Sequence, residues 1–190
     1  MFIFESGDFT PYRNNYLLNE SMRNNFRHSV KTTVFLSHKH SDLEDTDGII
    51  GFLKTNFGVD IYIDSNDASM PTITTAETAI KLKEKIKGCD KFILLATNGA
   101  IESKWCNWEL GFGDAHKYAD NIALFPMKPQ GTFDSLYKGN EYLSIYPHIV
   151  GYNGNTKCTN GNYISKGLYV RKKNQNGGHT ITPLSDWFKN

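Results

Sequence analysis

Lys91-Phe-Ile-Leu-Leu-Ala96 is a short, continuous apolar run, the pattern of a strand covered on both faces. Runs of the same kind surround it. Thr33-Val-Phe-Leu-Ser37 is mostly apolar, Val59-Asp-Ile-Tyr-Ile63 alternates, and Asn121-Ile-Ala-Leu-Phe125 and His148-Ile-Val-Gly151 read as a fourth and a fifth strand. Helical patterns separate them. Ser41 and Glu44 have the spacing of a capping box, which predicts a helix start there, with Ile49, Ile50, Leu53 and Phe57 on its inner face and Gly58 as its stop. Thr74 and Glu77 predict a second start, followed by Ala76, Ala79, Ile80, Lys83 and Ile86 on one face up to Gly88. Strand and helix alternate throughout, so the expected class is α/β, a five-stranded, mainly parallel sheet with helices on both sides.

The ends differ in kind from this core. Residues 1–31 form an extension that is aromatic and turn-rich up to Tyr12 and helix-patterned over 15–28 through Tyr16, Leu17, Met22 and Phe26. It is expected to pack on the domain. Residues 153–190 hold strand-like runs on either side of Asn174-Gln-Asn-Gly-Gly178, which predicts a β-hairpin, and then Pro183 opening a short helix with Trp187 and Phe188. The chain of 190 residues has 21 Lys and Arg against 20 Asp and Glu. A net charge near zero, with no basic run longer than Arg171-Lys172-Lys173, argues against nucleic acid or an acidic membrane as partner. No apolar stretch approaches a membrane span, and Met1-Phe-Ile-Phe-Glu-Ser6 lacks the basic start of a signal peptide, so a cytoplasmic protein is expected. Cys89, Cys106 and Cys158 are odd in number and form no CxxC pair, hence reduced thiols are expected.

Ser103-Lys-Trp-Cys-Asn-Trp-Glu-Leu-Gly-Phe-Gly-Asp-Ala-His116 carries the chemistry. Helical spacing puts Trp105, Glu109, Phe112 and His116 on one stripe flanked by Cys106 and Trp108, so a carboxylate is expected between indoles, with a raised pKa. An acid bending out to solvent at the rim of a core helix fits the same spacing. In a doubly wound sheet of order 2-1-3-4-5, ligands bind at the carboxyl ends of strands 1 and 3. That places the loops 38–42 and 97–103 at the crevice, with loop 64–71 beside them. Phosphate loops, nucleophile elbows and zinc helices are missing from the sequence. His38 and His40 lack a third ligand, so no metal is expected. Ser37, His38 and Lys39 stand where a substrate phosphate would be met, although Ser37 equally ends a strand and Lys39 equally lies on the surface. Asp42 and Asp64 read equally as cap or turn residues.

Val34-Phe-Leu-Ser37 with Asp42, Ile61-Tyr-Ile-Asp64, Phe92-Ile-Leu-Leu-Ala-Thr97 and the Ser-x-Trp-Cys-x-x-Glu-Leu box at 103–110 resemble the TIR domain family over residues 32–152, and within it the free-standing bacterial type of the Thoeris antiphage systems. The resemblance implies a flavodoxin-like fold with Glu109 as the catalytic acid. From their place at the strand ends and on the helix, Ser37, His38, Lys39, Asp42, Asp64 and Trp105 are expected around the substrate, Trp105 chiefly by packing under the site. NAD would be a substrate, not a cofactor: nicotinamide is released and a cyclic ADP-ribose-like signal diffuses to a separate NAD-consuming effector. Some members of the family only assemble with one another, so a non-catalytic TIR–TIR module is the alternative, and a nucleoside deoxyribosyltransferase shares the sheet and the acid. Loop 64–71 departs from the family in lacking its usual Arg-Asp and Gly, and the two end segments have no counterpart in receptor-type domains.

Overall fold

The structure is a computed structural model that describes residues 1–13, 31–67, 75–137, 139 and 142–190. The helix expected over 15–28, Thr74, and the loop from residue 68 to residue 71 lie outside the described residues. Among the described residues eight strands are present: β1 (Phe4–Glu5), β2 (Thr33–Ser37), β3 (Asp60–Tyr62), β4 (Lys91–Ala96), β5 (Ile122–Lys128), β6 (His148–Tyr152), β7 (Gly167–Lys173) and β8 (His179–Pro183). They join in one sheet of order β3-β2-β4-β5-β6-β7-β8, with β1 against β5. The five strands read from the sequence are β2 to β6. They are mutually parallel in the doubly wound order, with β2 between β3 and β4.

The strand count of five is corrected to eight. The hairpin β7–β8 does not stand apart but continues the sheet antiparallel from β6. The N-terminal segment enters a fork, because β5 and β6 are in register only at Leu124 and His148. Beyond that point Phe4 and Glu5 pair with Met127 and Lys128, while Phe2 exchanges two backbone hydrogen bonds with Gly151 of β6. A two-residue strand shows no alternation to read, so only its partners identify it.

The helices of the described residues include α1 (Leu43–Phe57), α2 (Ala76–Gly88), α3 (Asn98–Glu102), α4 (Lys104–His116) and α5 (Leu184–Trp187). Alternate residues of the central strands feed two cores. Val34, Leu36, Ile93, Leu95 and Phe125 pack under α1, α5 and the N-terminal aromatics Phe4 and Phe9. Phe35, Phe92, Leu94, Ile122 and Leu124 pack under α2 and α4. Both capping boxes shift. A 3-10 turn, His40–Asp42, precedes α1, and Ser41 donates to Asp42 instead of capping the helix. At α2 the cap is Thr75, whose backbone N–H donates to the Thr78 hydroxyl at 3.1 Å, in place of Thr74 with Glu77.

The N-terminal segment docks on α1 through glycines one turn apart. A Cβ on Gly48 would lie 2.7 Å from the Phe9 carbonyl oxygen, and one on Gly51 would lie 2.2 Å from that of Tyr12. Ser6 and Gly7 reinforce the contact by donating to the Asp45 carboxylate at 2.7 and 2.8 Å. Gly51→Ala should therefore lift residues 9–13 off α1, although alanine favours a helix interior by about 1 kcal/mol. Hydrogen exchange at Phe2, Ser6 and Tyr12 reads this: protection should fall well below wild type, and unchanged protection would show that the close approach does not seat the segment.

Candidate active site

The carboxyl end of β2 delivers Ser37 and His38, and α4, capped by the Ser103 hydroxyl accepting from the Cys106 N–H at 3.3 Å, delivers Glu109. Glu109 lies on the inward side of α4 with Cys106, Leu110 and Gly113 and is 2 % exposed. Its Oε2 accepts from the Ser37 hydroxyl at 2.5 Å. Burial pushes the carboxyl up to about 8; a Ser37 hydrogen bond pulls it down, the Asp64 charge adds to the rise, and a Trp105 hydrogen bond opposes it. At neutral pH the resting acid is therefore largely protonated.

The expected aromatic stripe is corrected. Trp105, Trp108, Phe112 and His116 stack in a half-exposed to exposed row with centroid separations of 4.9, 6.0 and 4.0 Å. Lys83 and Lys87 of α2 lie over that row, 5.5 and 5.6 Å from the Phe112 centroid. Glu109 sits one step round the helix from it and meets the sheet instead of a second indole. Both sides of α4 carry apolar residues, so periodicity alone does not say which faces inward; the close approach of Gly113 to the Phe92 ring, where a Cβ would lie 3.2 Å from a ring carbon, shows which one does.

The other candidate residues fall into two groups. His38, 6 % exposed, has Nδ1 3.9 Å from Asp64 and Nε2 3.3 Å from the Ser65 hydroxyl. Burial lowers its pKa more than Asp64 raises it, so it is neutral at neutral pH. Ser37, His38, Asp64, Trp105 and Glu109 thus gather at one place. Asp42 and Lys39 lie to the side of that cluster. Asp42 accepts from the Thr97 hydroxyl at 2.5 Å, and Thr97 in turn caps α3 by accepting from the Ala100 N–H at 2.9 Å. Asp42 is a strut between the loops that follow β2 and β4. Lys39 lies over α3, where a Cβ on Gly99 would come within 3.1 Å of its side chain.

Sequence reasoning passed over Thr97, Ser65 and the role of Cys106. Thr97, directly after a strand and three residues before the N–H it caps, was legible as an N-cap. Ser65 had no signal. Cys106 was placed only as a flank of the stripe; its thiol is pushed up by burial and shares hydrogen bonds with Ser103 and Ser37. Among the described residues no three His, Cys, Asp or Glu side chains are grouped to hold a metal ion, and no described helix is long and apolar enough to cross a membrane. What the cluster can do is stabilise a cation: an enclosed acid, with a second acid nearby, gains most when a positive charge enters beside it.

No family model matches the chain. A stretch of 118 residues, 61% of the chain, is 29% identical to a protein of Bacillus cereus (strain MSX-D12) named "Probable 3' cyclic ADP-D-ribose synthase ThsB'". The chain covers 59% of that relative's length. This similarity supports the likeness to a Thoeris-type TIR protein that the motifs at 34–42, 61–64, 92–97 and 103–110 carry.

Proposed function

We propose that the chain cleaves NAD, releases nicotinamide and closes the remaining ADP-ribose into a cyclic signal that activates a separate effector in antiphage defence. The observation that carries this is the Glu109 carboxyl, enclosed at the carboxyl ends of the parallel strands and held by Ser37 at 2.5 Å, which is where a doubly wound sheet binds its ligand. The relative's name, a cyclic ADP-ribose synthase, supports the same reading.

The chemistry follows from charge. The bond between the ribose C1′ and the pyridinium nitrogen breaks with both electrons going to nitrogen, so neutral nicotinamide leaves without an acid. Positive charge then develops on C1′ and its ring oxygen. Glu109, which gives its proton to solvent as the cationic substrate enters, stabilises that charge, and Asp64 contributes from further away. Ser37 fixes the orientation of the carboxylate. The apolar surroundings of Trp105 and Cys106 keep water scarce, which favours attack on C1′ by a hydroxyl of the same molecule. That hydroxyl loses its proton to solvent as the ring closes, which balances the reaction.

Incubation with NAD at high protein concentration, followed by chromatography and mass spectrometry, tests this. Nicotinamide should appear together with a product of the mass of ADP-ribose less one water. Linear ADP-ribose alone would make the protein a glycohydrolase. Intact NAD, both in buffer and in lysate of phage-infected cells, would leave a non-catalytic TIR–TIR module.

A further inference from the structure

The amino ends of the parallel strands, opposite the Glu109 cluster, hold a buried cation. Lys91, the first residue of β4, is only 3 % exposed. Its Nζ donates to the Asn121 side-chain oxygen at 2.5 Å and lies 4.9 Å from the centroid of the Trp187 ring. Among the described residues no carboxylate stands within ion-pair distance of it, because the two nearest acids are engaged elsewhere. Asp90 accepts from the backbone and hydroxyl of Thr33 at 2.8 Å each, and Asp120 pairs with Lys172. Burial accordingly lowers the Lys91 pKa more than those acids raise it. A desolvated ammonium without a counter-ion is expensive, and one neutral amide with one ring face offsets that only in part.

Two clefts meet at this ammonium. One, of about 410 Å³, runs between Lys31, Asp90 and the C-terminal residues Phe188 to Asn190. The other, of about 450 Å³, runs under the β7–β8 hairpin past Lys172, Thr180, Thr182 and the Trp187 ring. Both include Lys91, Asn121 and Asn190 in their walls. Either volume suits a ligand of mononucleotide size. The walls pair apolar surface from Trp187, Pro147 and Val170 with hydroxyl and amide groups, and Lys31, Lys91, Lys172 and Lys189 outnumber Asp90 and Asp120 along them.

We propose that these joined clefts form a second binding site, for a small molecule carrying a phosphate monoester, with Lys91 as its buried contact and Lys172 at its rim. A dianionic phosphate supplies the counter-charge Lys91 lacks, while Thr180, Thr182 and Asn174 are placed to bond its remainder. The site is separate from the Glu109 crevice, because it lies at the other ends of the same strands.

Calorimetric titration of the full chain with AMP, inorganic phosphate and adenosine tests the assignment. AMP should bind, phosphate more weakly, and adenosine at least about 10-fold more weakly than AMP, since it lacks the charge. Lys91→Met, which keeps the stem packed on Trp187, should lose AMP affinity by about 10-fold or more, and Lys172→Met, at the half-exposed rim, by roughly 3-fold, with Glu109→Gln unchanged. The Lys172 variant keeps the test informative should the Lys91 variant fold poorly. Absence of AMP and phosphate binding, or AMP affinity indifferent to both lysines, overturns the proposal.

Discussion

Glu109→Gln is expected to reduce nicotinamide release from NAD by roughly 10³-fold or more, while circular dichroism and elution volume stay those of wild type. Glutamine preserves the volume and the oxygen that accepts from Ser37 at 2.5 Å, so the inward side of α4 packs as before. Only the capacity to become negative is lost. That capacity is what the proposed reaction would need, because charge would develop at C1′ in an enclosed space where a fixed anion is worth far more than in water. Ser37→Ala is the instructive contrast. It leaves the acid in place but removes the hydrogen bond that pulls its pKa down, so a drop of about 10-fold, strongest at low pH, is expected. Normal NAD turnover by Glu109→Gln would refute the assignment of the acid, and equal losses in both variants would point to packing instead of charge.

Stability should respond to the same carboxyl. Its folded value of about 8 stands above its ordinary 4.5, so the folded chain holds this proton more tightly than the unfolded chain. The contribution is complete below pH 4.5, fades as pH rises, and is gone above 8, with a total span on the order of 5 kcal/mol. His38 and His148 act in the opposite sense. Burial lowers both, so the stability they contribute is present above their ordinary 6.5 and is lost as pH falls. Comparing wild type with Glu109→Gln cancels the histidines. Urea unfolding at pH 5, 7 and 9 should show the two proteins alike at the lowest pH, and the variant more stable by a few kcal/mol at the highest. A difference that stays flat across this range would mean that Glu109 is ionised in the resting protein.

How much of this was legible in the chain varies by element. The continuous run at Lys91–Ala96 was read as a central strand, and its burial confirms that reading. Alternation of strands and helices gave the parallel class, and only the observed order, with β2 between β3 and β4, puts the loops after β2 and β4 at one crevice, beside which Ser37 and Glu109 meet. The helix caps were read one residue out, because Ser41 beside Asp42 and Thr74 beside Thr75 offer adjacent side chains of equal capping strength. At Asp42 a distant partner, Thr97, decides what the side chain does.

By itself, then, the sequence determined the α/β class, the five strands of the parallel core and the helix that carries Glu109, since each rests on periodicity or spacing within a few residues. Tertiary structure alone decided the rest. It turned Glu109 toward Ser37 of the sheet, drew the two-residue β1 into the fork between β5 and β6, added the hairpin to the same sheet, and set the Lys91 ammonium against Asn121 and the Trp187 ring. Those outcomes depend on surfaces contributed by segments far apart in the chain, and their packing energy has no local pattern to betray it.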